Sequence, residues 1–502
     1  MKNTLVIYLV LQTFNLFSQY DVLDSTFNNN GKLLQVNESS NSICEDKDGK
    51  ILVLGHDNST GLYNIYIKRY HSNGMLDSSF DLDGVFYHDF NSDRDYGRAI
   101  KALPDGKYLI CGQNSVGPYF RTFVLKLNND GTFDNNFGVN GKVIITPSTD
   151  NSDAWDMFVS NTGSIYLAGY RGLNGNRKCA VWKLNINGQM NQNFGNSGEL
   201  VFNFGGSSER LFGINVKNNK VAISGISDQY GIISLIDSNG NFDNNFNSNG
   251  QIRIKVNNTN TVFYDVLVAN SSIVACGGIN NGKYNSCIVS YKFDGSLNTN
   301  FGNSGVVINN SAYESFHDNL IENCKGEIFL GGYQNDGNKY SMFILKYNQN
   351  GALDLNFGNA GEITTRFNST NGEAIEDMCL IGDNKIAFCG RINSGANTTN
   401  TGVGVVKIKK CSQELAIKID FTSNFKIFPN PIIEKEFEIG LSNYNAFESI
   451  KIFNINGIEI KDFQYHVLGN AIKVNNFDTE KGLYFIVLAI DNKIIVKKVI
   501  KT

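Results

Sequence analysis

The chain has 502 residues, 41% hydrophobic and 12% aromatic, which argues against disorder and exceeds what one ordinary core supports. Its formal charge of −4 excludes the concentrated basic footprint of a non-specific nucleic-acid binder. The 50 Gly against 5 Pro fit many short strands joined by tight turns.

Residues 1–18 read as an export signal. Lys2 supplies the positive start, Leu5 to Leu11 a nearly unbroken apolar stretch, and Phe14 to Ser18 a short tail ending on a small residue. Beyond it no apolar run is long enough to span a bilayer, so the mature chain is expected to lack a transmembrane segment.

From there to residue 411 one pattern dominates. A hydrophobic residue, Asp or Asn, two variable residues, Phe, three residues and Gly recur seven times. The rings fall at Phe27, Phe80, Phe137, Phe194, Phe246, Phe301 and Phe357, spaced by 52 to 57 residues. A sustained period of this length means supersecondary units that bury their apolar faces only against neighbours. Each unit carries four strand signals. In the second these are Arg98 to Leu103, Lys107 to Gly112, Thr122 to Leu127 and Lys142 to Thr146, punctuated by Asp105-Gly106 and Asp130-Gly131 turns. Every second strand reaches a fixed Gly, from Gly55 and Gly112 through to Gly390, which marks a bend or a close backbone approach.

Seven units of four antiparallel strands describe a seven-bladed β-propeller over residues 19–411. The ends are complementary. The chain enters with a motif and a lone fourth strand, Lys32 to Val36, and leaves with three strands only, the last Val403 to Lys409. Pairing them removes the edges that an open array would expose.

Segments such as LDSSFDLDG from Leu76, LNTNFGNSG from Leu297 and LDLNFGNAG from Leu353 resemble the delta-60 repeat family. Asn28, Asp81 and Asn247 replace the Gly after the Phe in three copies, and all tolerate left-handed backbone. The resemblance implies a propeller and no single activity.

Nine cysteines precede the last 90 residues. Cys111, Cys276 and Cys389 share one repeat position before the fixed Gly and are expected as small buried hydrophobes. Cys379 and Cys389 flank Asp383-Asn384. A two-residue loop there would set them on opposite faces, so no bridge is expected.

After a linker at 412–424 the signature changes. Residues 425–502 hold Phe428-Pro429-Asn430-Pro431, a strand from Phe437 to Leu441, an Asn456-Gly457 hairpin, Gly482-Leu483-Tyr484-Phe485 and a basic end at Lys497, Lys498 and Lys501. This resembles the type A C-terminal sorting domain of the type IX secretion system. The resemblance implies a small Ig-like β-sandwich, passage across the outer membrane, and the type IX machinery as partner.

Chemistry is less legible. Five scattered His show no metal-ligand spacing, and no nucleophile elbow or phosphate loop occurs. Neither a cofactor nor a metal is expected, and no catalytic residues are assigned. Fourteen residues before the strand-two Gly stand Asn41, Arg98, Trp155, Leu211 and Phe263, aligned with His317 (allowing one extra turn residue) and Glu376. Asp156, Asp265, Asp318 and Asp377 lie adjacent. A position this variable within a repeat scaffold points to solvent or to the central channel. Arg98, Trp155, Asp156, His317, Asp318 and Glu376 are therefore candidates for a channel mouth that binds a glycan, peptide or cation. The plainer alternative is a solvated rim with aromatics packed between blades. The expectation is a monomeric, exported, adhesin-like binding module at the cell surface or outside it, with an extracellular glycan or protein as ligand. Its rivals are a propeller enzyme acting on polysaccharide or peptide, and a purely structural surface component.

Overall fold

In a computed structural model of the chain, the described residues are 23–502 apart from 58–62, 92–93, 146–149, 310–312, 368–371, 394–398, 411–425, 442–446, 455–458, 470 and 491–492. The export segment, the 412–424 linker and the Asn456-Gly457 turn lie outside them. The chain divides into two compact units, Met1–Cys411 and Ser412–Thr502.

Among the described residues, the first unit holds seven four-stranded antiparallel sheets, each a meander from an inner to an outer strand. The inner strands are Glu38–Glu45, Asp95–Ala102, Ser152–Val159, Glu209–Lys217, Asn260–Val268, Ser315–Glu322 and Glu373–Ile381. The seventh sheet closes the array. Its outer strand is Lys32–Gln35 from the front of the chain, with Lys32 opposite Gly404 and Gln35 opposite Thr401.

The recurrent motif staples neighbouring sheets. All seven Phe rings are at most 1% exposed. Phe137 packs among Leu109, Cys111 and Val124 of the second sheet and Ile165, Leu167 and Trp182 of the third. Phe27 does the same between Val403 and Val405 of the seventh sheet and Ile43 and Val53 of the first. The next residue is left-handed in every copy, from Asn28 and Asp81 (both φ 46) to Gly358 (φ 53). That turn aims its amide at the neighbouring unit: Asn28 donates to the Asn73 carbonyl at 2.8 Å and Asp81 to Asp130 at 2.7 Å. The closing Gly is obligatory. At Gly84, φ is +90 and an added Cβ would lie 2.5 Å from Leu76 Cγ.

The motif carboxylate ties down the turn. Asp77 accepts from the Ser79 amide at 3.1 Å, Ser79 Oγ at 2.7 Å, Lys50 at 2.6 Å and Arg69 at 2.8 Å. Asp24 is its counterpart at the closure, fully buried against Lys385 (2.7 Å) and Lys407 (3.1 Å). Burial alone would raise its carboxyl. Hydrogen bonds from Lys385, Thr26 and Lys407 instead hold it well below the usual range.

Two local expectations are corrected. Second strands continue past the fixed Gly, as in Tyr108–Val116, and first strands begin earlier, as in Asp95–Ala102. The loop after Glu373–Ile381 spans three residues, because Ile381 faces Lys385. Cys379 therefore lies opposite Ala387, on the same face as Cys389, and both thiols are free.

The second unit is two four-stranded antiparallel sheets around a core of Ile439, Ile452, Ile472, Val474, Phe477, Ile486 and Leu488. Just beyond the Pro-Asn-Pro run, Ile432 is buried, donates to the Ile500 carbonyl at 2.7 Å and accepts from the Thr502 amide at 3.0 Å. This pins the start of the module to its last strand.

Candidate functional site

Every inner strand is interrupted at one place. The register breaks between Ser40 and Ser42, Gly97 and Ala99, Ala154 and Asp156, Leu211 and Gly213, Phe263 and Asp265, His317 and Asn319, and Ile375 and Asp377. Each break is a β-bulge that leaves one residue unpaired and re-aims its side chain. The fixed strand-two Gly faces the residue just before it. A Cβ on Gly112 would lie 1.9 Å from the Tyr96 carbonyl oxygen, and one on Gly169 1.8 Å from that of Asp153. The repeated Gly is thus the sequence mark of the bulge.

The bulged residues are Asn41, Arg98, Trp155, Phe212, Tyr264, Asp318 and Glu376. This corrects three aligned positions. Leu211 and Phe263 are fully buried in inter-sheet cores, and in the sixth sheet the bulge falls on Asp318, with His317 paired to Gly332. The cause is hairpin length. Four residues separate Val216 from Val221 and Val268 from Ile273, whereas five separate Ala102 from Tyr108. A fixed count of fourteen therefore overshoots by one in the fourth and fifth sheets. The sixth sheet has the longer loop and needs no extra allowance.

Asn41, Arg98, Trp155, Phe212, Tyr264 and Glu376 all line one cavity of about 1440 Å³, as does Asp156. Of the predicted residues, Arg98, Trp155, Asp156 and Glu376 are brought together. The side chains of His317 and Asp318 lie outside the described ones.

The bulged aromatics form an arc along this wall. Trp155 meets Phe212 edge-on at 5.1 Å, Phe212 stacks on Tyr264 at 4.8 Å, and Tyr264 meets Phe316 at 5.1 Å. Arg98 extends the arc, its guanidinium 4.0 Å from the Trp155 ring and 5.3 Å from Tyr96, which packs on His56 and Tyr63. One Arg98 nitrogen reaches Asp153 at 3.1 Å. Burial and the Arg98 charge lower the His56 pKa to about 4, so its imidazole is neutral at neutral pH. Glu376 lies 3.5 Å from Arg391, and burial raises its carboxyl.

Alternate sheets also present Asp156, Asp265 and Asp377 to the cavity, one residue past the bulge. Each carboxylate clamps its own sheet to the next. Asp156 accepts from the amides of Met157 (2.7 Å) and Ile214 (3.0 Å), and Asp265 from Val266 (2.7 Å) and Leu320 (2.9 Å). Asp377 accepts from Ile43 at 2.9 Å and Ser42 Oγ at 2.6 Å, which joins the last sheet to the first. Burial pushes all three carboxyls up. Lys101 opposes this at Asp156 and Asp377, while Asp156 adds to it at Asp265. Burial alone would lower the Lys101 ammonium, but the carboxylates, Asp156 foremost, hold it above its ordinary value.

Replacing Lys101 by Met removes the cation that offsets these carboxylates and should cost about 1–3 kcal/mol at neutral pH. A carboxyl whose folded pKa is raised contributes stability below its unfolded pKa and loses it as pH rises through the folded one. The deficit of Lys101→Met should therefore shrink from pH 7 toward pH 5. Denaturation midpoints at both values check the sign.

Two family profiles match the chain. The "Secretion system C-terminal sorting domain" covers residues 426–502. The "Domain of unknown function (DUF5122) beta-propeller" covers 47–80, 103–137 and 326–357, each match running from a first hairpin to at or near a motif Phe. The chain carries a DUF5122-type β-propeller and a secretion-system sorting domain. The sorting domain marks it for type IX export to the cell surface or the extracellular space. No helix among the described residues is long and apolar enough to cross a membrane. No curated protein matches the sequence. Similar solved structures include a protein of unknown function from Dyadobacter fermentans DSM 18053, 11% identical, covering 78% of this chain and 98% of that one at a TM-score of 0.40. Chaetomium thermophilum Sqt1 is 10% identical over 75% and 96%, with a TM-score of 0.42. The polysaccharide lyase Uly1 is 12% identical over 73% and 90%, with a TM-score of 0.43. At these scores the likenesses assign no activity.

Proposed function

We propose that this exported propeller is a non-catalytic binding module whose channel mouth holds an extracellular glycan. The observation that carries the reading is the arc Trp155–Phe212–Tyr264, built from bulged residues on three consecutive inner strands. A bulge re-aims a side chain without disturbing the sheet, so the mouth can vary while the staples stay fixed. Flat aromatic faces offer stacking area, and Arg98, Asn41 and Glu376 offer directional polar groups around them. The wall that bears these groups also carries the Asp156 clamp, so the site is held rigidly.

A glycan array probed with the full-length chain tests this. Trp155→Ala should weaken binding at least ~10-fold, the loss expected of a stacking residue, and shift the melting temperature by less than about 2 °C. A large stability loss would make Trp155 a packing residue. Absence of any glycan binding would overturn the proposal.

Export has its own test. In a host with type IX secretion, a chain lacking residues 426–502 should accumulate in the periplasm, read by fractionation and surface labelling. Normal surface display of that truncation would break the link between tail and export.

A further inference from the structure

We infer that the mouth selects an anionic sugar, a pyranose bearing a carboxylate or sulfate, with Arg210 as the receptor for its charge. This rests on the mouth being a glycan site and specifies what that glycan carries.

Arg210 stands two residues before the bulged Phe212 and lines the same cavity. Its guanidinium is half-buried and makes no hydrogen bond or ion pair among the described residues. Burial lowers its pKa, and the like charge of Arg177 lowers it further, against smaller opposing contributions from Tyr170, Tyr264 and Asp153. A partly desolvated cation beside a second cation is unfavourable unless an anion joins them.

The acids around the mouth each hold another partner. Asp153 gives one oxygen to Arg98 at 3.1 Å, its other being buried without a hydrogen bond, and Glu376 lies 3.5 Å from Arg391. Asp228 is held by the amides of Ser207 and Ser208, at 3.1 Å and 3.0 Å, and by Arg253 at 3.7 Å. Arg210 is the cavity-lining guanidinium with no hydrogen bond or ion pair among the described residues, and its fork matches a carboxylate or sulfate through two parallel hydrogen bonds. Next to it, Phe212 and Tyr264 present stacked rings. The chemistry that matches both at once is a ring with an apolar face and a charged substituent. At about 1440 Å³ the cavity exceeds the usual range for a single small ligand, which favours an oligomer.

The test uses the full-length protein and three probes titrated by calorimetry: oligogalacturonate, its fully methyl-esterified form, and a sulfated galactan oligosaccharide. Tighter binding of at least ~10-fold to oligogalacturonate than to its ester assigns a carboxylate. The same preference for the sulfated oligomer assigns a sulfate. Either preference should weaken as salt rises from about 50 to about 500 mM. Arg210→Gln should erase it, while Arg210→Lys should keep part of it. Equal binding of charged and neutral oligomers, unmoved by Arg210→Gln, would overturn the inference and leave the glycan reading standing. Equal binding of a poly-glutamate peptide would overturn the sugar requirement. No binding by an oligosaccharide of any charge would remove the glycan reading and this inference with it.

Discussion

Deleting residues 21–36 is expected to open the ring, lowering the melting temperature by about 10 °C or more and causing association that grows with concentration. The segment contributes three things at once. It pairs Lys32–Gln35 with Thr401–Gly404, so its loss exposes the edge of Thr399–Lys407. It inserts Phe27 between the first and seventh sheets. It also donates the Asp24 amide to the Val405 carbonyl at 2.7 Å while Asp24 binds Lys385 and Lys407. An uncovered strand of regular length is a template for another chain, which is why association should accompany destabilisation. Asp24→Asn separates the terms, because it keeps the strand and the ring but removes the ion pairs. The Asp24 carboxyl is depressed in the folded state, so its share of stability is present above the ordinary carboxyl range and is lost as pH falls through that range toward the depressed folded pKa. The Asn variant should therefore differ from the parent at neutral pH and converge with it in acid. Scattering and thermal melts of the deletion read the rest. An unchanged melt with a monomer throughout would mean that the seventh sheet needs no fourth strand.

The architecture was legible because one motif does several jobs that other residues cannot share. Asp caps the turn, Phe fills the space between sheets, the next residue must be left-handed, and the closing Gly has no room for a Cβ. Four constraints in nine residues leave a trace that survives variation elsewhere. The complementary chain ends were legible for a similar reason, since an orphan strand in front and a missing one behind admit few pairings. The channel wall was harder. Its residues vary, and the count to them passes through a hairpin whose length differs between sheets, so Phe212 and Tyr264 were displaced by one position onto Leu211 and Phe263. A signal was present: each bulge sits opposite the strand-two Gly, and counting back with the length of each hairpin reaches it. Phe316 and Tyr96, each two residues before a bulge, carried no repeat signal because that position holds Ser39, Asp153, Arg210, Val262 and Ala374 in the other sheets. Nor could sequence separation show that Lys101 gathers carboxylates from the third, fifth and seventh sheets.

Truncating Phe137 to Ala is expected to cost roughly 3–5 kcal/mol, the loss typical of emptying a close-packed aromatic site. The ring is wholly buried, with strands of the second sheet on one side and the third on the other. Lys126 Nζ sits 5.8 Å from its centroid, so a charged group also loses its neighbour. The indole of Trp182 and the thiol of Cys111 share the cluster. These are large, rotamer-locked groups on two twisted sheets that cannot both collapse into the void without breaking their own pairings. Phe137→Leu retains most of the volume and should cost less than half as much. Because each staple joins only adjacent sheets, the damage should begin locally. Amide exchange should rise in the second and third sheets before the fifth and sixth, at denaturant levels where the bulk of the protein remains folded. Uniform acceleration across all sheets would show that the ring opens only as a whole, and a loss below about 1 kcal/mol would mean that strand pairing, rather than the staple, holds the sheets together.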